Sequence, residues 1–216
     1  MADASSFVQL SPTTLAEFLD NEQVMDIGIR PLWHHMPRIA GPAYPVRCVA
    51  GDHLMLHAAI YHAPAGSIIV VEAGDLDYAV AGGNVCAVAK KHGIAGFIVD
   101  GVIRDIAETR ANEFPVFGRG VRPLPGGKNS IEGLNVRARC GGVEVAPGDM
   151  VVADEEGVVV IPAERCEDIL QHAVAKAAKD AAETLESWEA QHRARIEEIL
   201  RRKGFSGPNQ GPGQWV

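Results

Sequence analysis

The sequence predicts an α/β fold with a long C-terminal helical extension. Three observations carry this. The apolar run 67–71 is followed by a polar loop, a glycine-led helical stretch and a second apolar run at 95–99. Short strand-like segments then succeed one another from Pro115 to Ile161. After Pro162, apolar residues recur every three or four positions in an alanine-rich stretch.

The 216 residues, 47% hydrophobic and 22% charged, suffice for one compact domain with an appendage and argue against a mainly disordered chain. A net charge of -8 without a basic patch argues against binding nucleic-acid backbone. Cys48, Cys86, Cys140 and Cys166 are widely spread and form no CxxC pair, as expected of buried thiols in a cytoplasmic protein. The opening MADASSFVQL has neither the basic segment nor the apolar run of a secretory signal. No segment reaches the roughly 18 apolar residues of a membrane span. A soluble cytoplasmic protein is expected.

Taken in order, Ser11 caps a short helix with Pro12 in its first turn, ending near Asp20-Asn21. Residues 30–43, rich in proline and histidine, read as connecting structure, with Gly41-Pro42-Ala43 a turn or an extended crossing. Residues 45–49 suit a short strand, and Gly51-Asp52 introduces a helix carrying Leu54, Leu56, Ala58, Ala59 and Ile60. Pro64-Ala65-Gly66 turns into the strand at 67–71. Gly82-Gly83 opens a helix with Val85, Val88 and Ala89 on one side, and the strand at 95–99 ends at Asp100-Gly101. This is a crossover unit.

Segments 116–118, 135–139, 143–145, 150–152 and 157–161, separated by turns such as Pro147-Gly148-Asp149, form a more antiparallel region too short for a core of its own. Beyond Pro162 the helical pattern of Ile169, Ala173, Val174, Ala177, Ala181 and Leu185 continues through Trp188, Ile196 and Leu200 to Lys203. At about 1.5 Å per residue such a helix outreaches a small domain, so it breaks or packs on a partner subunit. The expected organisation is a core over 1–162, a helical extension over 163–203 and a flexible Gly/Pro/Gln-rich tail over 204–216.

Gly82-Gly83-Asn84 either lets a ligand approach the free N–H groups of a helix start, which suit a carboxylate or phosphate, or is a tight turn without a ligand. It matches neither the P-loop nor the dinucleotide fingerprint. In the stretch from Asp100 to Asp105, Arg104 can clamp a carboxylate and Asp105 can hold a divalent cation, provided the chain turns so that both reach one pocket. The same residues also suit an internal ion pair that fixes a loop. Glu108 either orients Arg104 or completes a cation's outer shell, or else is a solvated residue. His53 and His57 have i,i+4 spacing but lack the HExxH glutamate and a third ligand, so a zinc site is not expected. Ser130 lies in no GxSxG elbow, and no cysteine has an adjacent base.

Gly83, twenty residues, then Arg104-Asp105-Ile106-Ala107-Glu108 resembles the G-x20-R-D-x2-E/D signature of the RraA-like family. Gly51-Asp52, Gly93-Ile94-Ala95-Gly96, Pro147-Gly148-Asp149 and the stretch from Asp154 to Pro162 add to the likeness, which spans roughly residues 38 to 185. That family includes class II pyruvate aldolases acting on 4-hydroxy-4-methyl-2-oxoglutarate and 4-carboxy-4-hydroxy-2-oxoadipate, and regulators that bind an RNase E-like endonuclease.

The resemblance implies a swivelling β/β/α fold, assembled as homotrimers or homohexamers with active sites between subunits. It implies that Arg104 binds the 2-oxo acid and Asp105 supports Mg2+ or Mn2+, with Glu108 beside it, while backbone N–H groups of Gly83, Asn84, Val85 and Cys86 receive the substrate carboxylate. An acidic residue from a neighbour's C-terminal helix completes the catalytic and metal site; Asp180 is the best positional match and Glu183 the alternative. The implied activity is retro-aldol release of pyruvate, with oxaloacetate decarboxylation sharing the same enolate. A non-catalytic regulator is the competing class. Methyltransfer is disfavoured, because no glycine-rich nucleoside-binding pattern with its acidic ribose partner is present.

Overall fold

The computed structural model describes residues 3–205. The chain opens with helices α1 (Ala4–Phe7) and α2 (Pro12–Ala16), then a 3-10 turn at Asn21–Gln23 and strands β1 (Arg30–Pro31) and β2 (Ile39–Arg47). Next come α3 (Leu54–His62), β3 (Ile68–Glu72), α4 (Gly83–Lys91), β4 (Gly96–Ile103), α5 (Ile106–Ala111) and β5 (Val116–Val121). Short strands follow: β6 (Gly133–Leu134), β7 (Ala138–Cys140), β8 (Val143–Val145), β9 (Met150–Asp154) and β10 (Gly157–Ile161). Helices α6 (Cys166–Ala182) and α7 (Leu185–Arg202) end the described chain.

The main sheet has the order β1-β5-β4-β3-β2-β9-β10, and β7 pairs with β8 in a separate hairpin. Strands β2 to β5 run parallel, because α3, α4 and α5 carry the chain back between them. Alternation along β3 and β4 divides the core. Ile69, Val71, Phe97 and Val99 face the helices with Leu56, Ala59, Cys86 and Ala89. Ile68, Val70 and Ile98 face the opposite way, packing with Val143, Val145, Val151 and Val160 from the later strands. All four apolar residues of β3 are wholly buried, at about 1.5–3 kcal/mol per side chain. A sheet covered on both faces explains why β3 and β4 read as unbroken apolar runs.

The main departure from expectation is β2. Gly41-Pro42-Ala43 is part of a nine-residue strand, not a connection, and the strand begins at Ile39. Its first half pairs antiparallel with β9 and its second half parallel with β3, so Pro42 sits at the changeover. The Pro45 carbonyl accepts from Val136 N at 3.2 Å, which turns the missing N–H of Pro45 away from the β3 ladder. The antiparallel region expected after Pro115 exists, but β9 and β10 extend the same sheet through β2.

The chain divides into two compact units at Val174/Ala175, within α6. The second unit holds the end of α6 and α7. The long helical pattern breaks at Glu183-Thr184, where Thr184 Oγ1 caps α7 by accepting from Ser187 N at 3.2 Å. Leu185, Trp188, Ile196 and Leu200 on α7 are exposed. Of the expected flexible tail, residues 206–216, including Trp215, lie outside the described residues.

No described helix is long and apolar enough to cross a membrane. All four cysteines are free and buried.

Candidate active site

Two backbone ties bring the distant halves of the signature together. Val80 N donates to Val102 O at 3.0 Å and Arg104 N to Ala81 O at 2.9 Å, which lays the segment before α4 along the end of β4. β4 itself does not stop at Asp100-Gly101 but continues to Ile103, with its register against β5 shifting between Val99 and Val102. Such a bulge re-aims the chain. Asp100 is thereby directed elsewhere: it accepts from Arg119 Nε at 2.6 Å and Gly141 N at 2.8 Å, tying β4 to the hairpin turn.

Asp105 follows in the left-handed region (φ 57°, ψ 44°), immediately before α5. A non-glycine residue pays conformational strain there, although aspartate tolerates it better than most. The turn lets neighbours on the chain serve one locus: Arg104 Nε lies 3.4 Å from Asp105 Oδ2, and Gly83 N donates to the same oxygen at 3.3 Å. Both side chains remain partly open to solvent, at 43% and 38% exposure. Thr109 holds the turn from behind, donating from N and Oγ1 to Asp105 O at 3.0 and 3.2 Å.

The two glycines permit this approach. A side chain at Gly82 would begin 3.1 Å from Arg104 Cγ, and one at Gly83 would begin 2.6 Å from Glu108 Cβ. Glu108 therefore lies against the α4 start. In α4, Cys86 N closes the first turn onto Gly82 O at 3.0 Å, so its N–H is engaged. The N–H groups of Asn84 and Val85 have no intrahelical carbonyl to meet, and the helix dipole makes this end favourable for an anion. Burial pushes the Cys86 thiol up to about 11, so it stays protonated and is not a nucleophile at neutral pH.

A cleft of about 600 Å³ opens beside this locus, lined by Asn84, Val85, Arg104, His53, His57 and the loop 125–129. The histidines and the loop are partners that sequence reasoning did not bring to the site. His53 and His57 stack with ring centroids 4.5 Å apart. Burial, then the Lys128 charge, lowers His53; burial, then His53 and Lys128, pushes His57 down to about 4. Both are neutral at pH 7. The loop is anchored by Asp52, whose carboxylate accepts from Asn129 N, Ser130 N and Leu54 N. Burial raises Asp52, but these N–H groups outweigh it and hold the carboxyl below its ordinary value. The i,i+4 spacing of the histidines is the one signal for them in the sequence, and without an HExxH glutamate and a third ligand it identifies no site.

The first unit thus brings together Gly83, Asn84, Val85, Arg104, Asp105 and Glu108. Asp180 and Glu183 belong to the second unit, where Asp180 pairs with Lys176 at 2.6 Å and Glu183 accepts from Gln191 Nε2 at 3.0 Å. Among the described residues no three His, Cys, Asp or Glu side chains form a metal-holding group. The partly open Asp105 carboxylate, with Glu108 across the α4 start, fits the weaker demand of Mg2+, which keeps several waters and uses one or two carboxylates with ligand oxygens.

The chain is similar to known proteins over most of its length. A model of the RraA-like family, described as Aldolase/RraA, matches residues 2–160. A Halalkalibacterium halodurans protein named "Putative 4-hydroxy-4-methyl-2-oxoglutarate aldolase" is 41% identical over 179 residues, covering 82% of this chain and 85% of the relative. A Burkholderia multivorans protein of the same name is 34% identical over 139 residues, covering 64% and 84%. The crystal structure of Streptomyces coelicolor RraAS2, described as an unusual member of the RNase ES inhibitor RraA family, superposes with a TM-score of 0.67 at 27% identity, covering 89% and 96%. With its fold, its G-x20-R-D-x2-E spacing and these matches, the chain belongs to the RraA-like family.

Proposed function

We propose that this protein is a divalent-metal-dependent lyase that cleaves a 4-hydroxy-2-oxo di- or tricarboxylate and releases pyruvate, with oxaloacetate decarboxylation as a second activity. The observation carrying this reading is that Arg104 and the left-handed Asp105, in one short turn, meet the α4 N-terminus, where the N–H groups of Asn84 and Val85 have no intrahelical acceptor. The identity to relatives named as aldolases supports it.

In this reading the N–H groups of Asn84 and Val85 receive the carboxylate next to the 2-oxo group, and Arg104 spans that carboxylate and the 2-oxo oxygen. Asp105, with Glu108, would hold Mg2+ or Mn2+, which supplies Lewis-acid polarisation of the 2-oxo group. Arg104 is aimed where negative charge grows as the C3–C4 bond breaks, so it stabilises the pyruvate enolate. The C4 hydroxyl must lose its proton as the bond breaks, and C3 must then gain one. A carboxylate that holds a water can serve both steps; Asp180 of a neighbouring subunit is the candidate, with Glu183 the alternative, in a homotrimer or homohexamer with shared sites.

A second reading, a regulator that binds an RNase E-like endonuclease, draws on the likeness to RraAS2. One experiment separates them: pyruvate release from a panel of 4-hydroxy-2-oxo acids and oxaloacetate, with and without chelator. Chelator-sensitive turnover of at least one substrate is expected. No turnover on any member, with tight binding to an RNase E-like protein, would favour the regulator.

A further inference from the structure

Helix α7 carries an apolar seam that is open to solvent. Leu185, Trp188 and Ile196 are 74%, 49% and 40% exposed. Trp188 stacks on His192 with ring centroids 4.6 Å apart and planes 9° apart, so the imidazole continues the seam between Trp188 and Ile196. With half-buried Ile199 the seam runs 185, 188, 192, 196, 199, at spacings of three, four, four and three that keep it on one face of the helix. Helices draw most of their stability from packing such a face. None of the 18 residues of α7 is buried.

Charge is divided along the helix. Residues 185–192 hold Glu186 and Glu189 and no Lys or Arg, whereas residues 193–202 hold Arg193, Arg195, Arg201 and Arg202 against Glu197 and Glu198, so the halves carry -2 and +2. The ion pairs within α7 all lie in its second half, Arg193 with Glu197 and Glu198 with Arg201 and Arg202. Glu186, Glu189 and Arg195 form no ion pair with any described residue. The helix dipole favours acid in the first turn and base in the last. That accounts for Glu186, Arg201 and Arg202, but not for Glu189, Arg193 and Arg195, which lie inside those turns.

We propose that α7 is a docking surface for the α7 of a second copy of this chain, laid antiparallel across a two-fold axis centred at His192. The seam is symmetric about that centre: Trp188 and Ile196 stand four positions either side of His192, and Leu185 and Ile199 seven either side. Trp188 thus meets the second copy's Ile196, Leu185 meets its Ile199, and each contact occurs twice. Antiparallel pairing lays each negative half over a positive one, whereas parallel pairing lays like on like. With four acidic and four basic residues, α7 has no net attraction for an anionic membrane surface. The contact is isologous, so it doubles whatever particle the rest of the chain forms, turning two trimers into one hexamer. It is independent of the proposed chemistry.

The test is sedimentation equilibrium of the full chain. The wild type is expected to form a particle with an even number of chains. Glu186→Arg with Glu189→Arg makes both halves of α7 positive, and Arg193→Glu with Arg195→Glu makes both negative. Each doubly substituted chain is expected to give half the wild-type mass while keeping its helical circular dichroism. Mixing the two is expected to restore the full mass, because each supplies the charge that the other lacks. Ile196→Asp, which breaks the seam without redistributing the halves, is also expected to halve the mass. An odd number of chains in the wild type, an unchanged mass in the substituted chains, or halved masses that mixing does not restore would overturn the pairing. None of these readings uses turnover, so they stand or fall apart from the lyase assay.

Discussion

The Cα of Gly83 faces Glu108 so closely that a methyl group added there would lie 2.6 Å from Glu108 Cβ. The Glu108 carboxyl also stands in the way and can swing aside, but Cβ is fixed to the α5 backbone, so relief requires α4 or α5 to move. Gly83→Ala is therefore expected to cost about 1–3 kcal/mol of stability and to reduce turnover by more than tenfold, because α5 carries Asp105 at its start. Urea unfolding and steady-state rates check the two effects separately.

Asp105 holds its strained backbone where glycine would be at ease. Asp105→Gly is expected to keep or raise stability, by up to about 1 kcal/mol, while abolishing metal-dependent turnover. Asp105→Asn is expected to fold normally and lose at least about a hundredfold in rate. A large loss of stability in Asp105→Gly would show that the residue is there to hold the fold.

The Arg104 guanidinium lies 3.4 Å from Asp105 and is 43% exposed. Arg104→Lys keeps the charge but not the planar pair of donors, and is expected to raise KM and lower kcat, each by about tenfold or more. Unchanged kinetics would mean that the side chain serves the loop alone.

His57 is pushed down to about 4 by burial, against about 6.5 in the unfolded chain. Its folded value is depressed, so the neutral ring favours folding fully above pH 6.5, and that advantage drains away as pH falls from about 6.5 to about 4. The loss is at most about 3 kcal/mol. His57→Phe should flatten this part of the stability profile, measured by urea unfolding between pH 7.5 and pH 4.5.

Where a segment's environment was uniform, its sequence declared its structure. The runs at 68–71 and 96–99 lie in a sheet buried on both faces, and the Gly82-Gly83 helix start has few other uses. β2 was hidden because Pro42 and Pro45 count against a central strand until their carbonyl and N–H edges are known. The apolar run stops at Asp100-Gly101, so the sequence ends the strand there, whereas the bulge carries it on to Ile103. The other wall of the cleft was illegible for a different reason. His53 and Lys128 are 75 positions apart in the chain, and they are brought together by the Asp52 carboxylate, through Asn129 and Ser130, and by backbone pairing of Gly127 with Gly51 and His53.

The most direct measurement of the central claim is pyruvate release from 4-hydroxy-4-methyl-2-oxoglutarate by metal-stripped protein as Mg2+ is titrated back. Rates that rise from near zero to saturation in the wild type and stay near zero in Asp105→Asn are predicted. A metal-independent rate, or a wild-type rate no greater than that of Asp105→Asn at saturating Mg2+, would contradict the account.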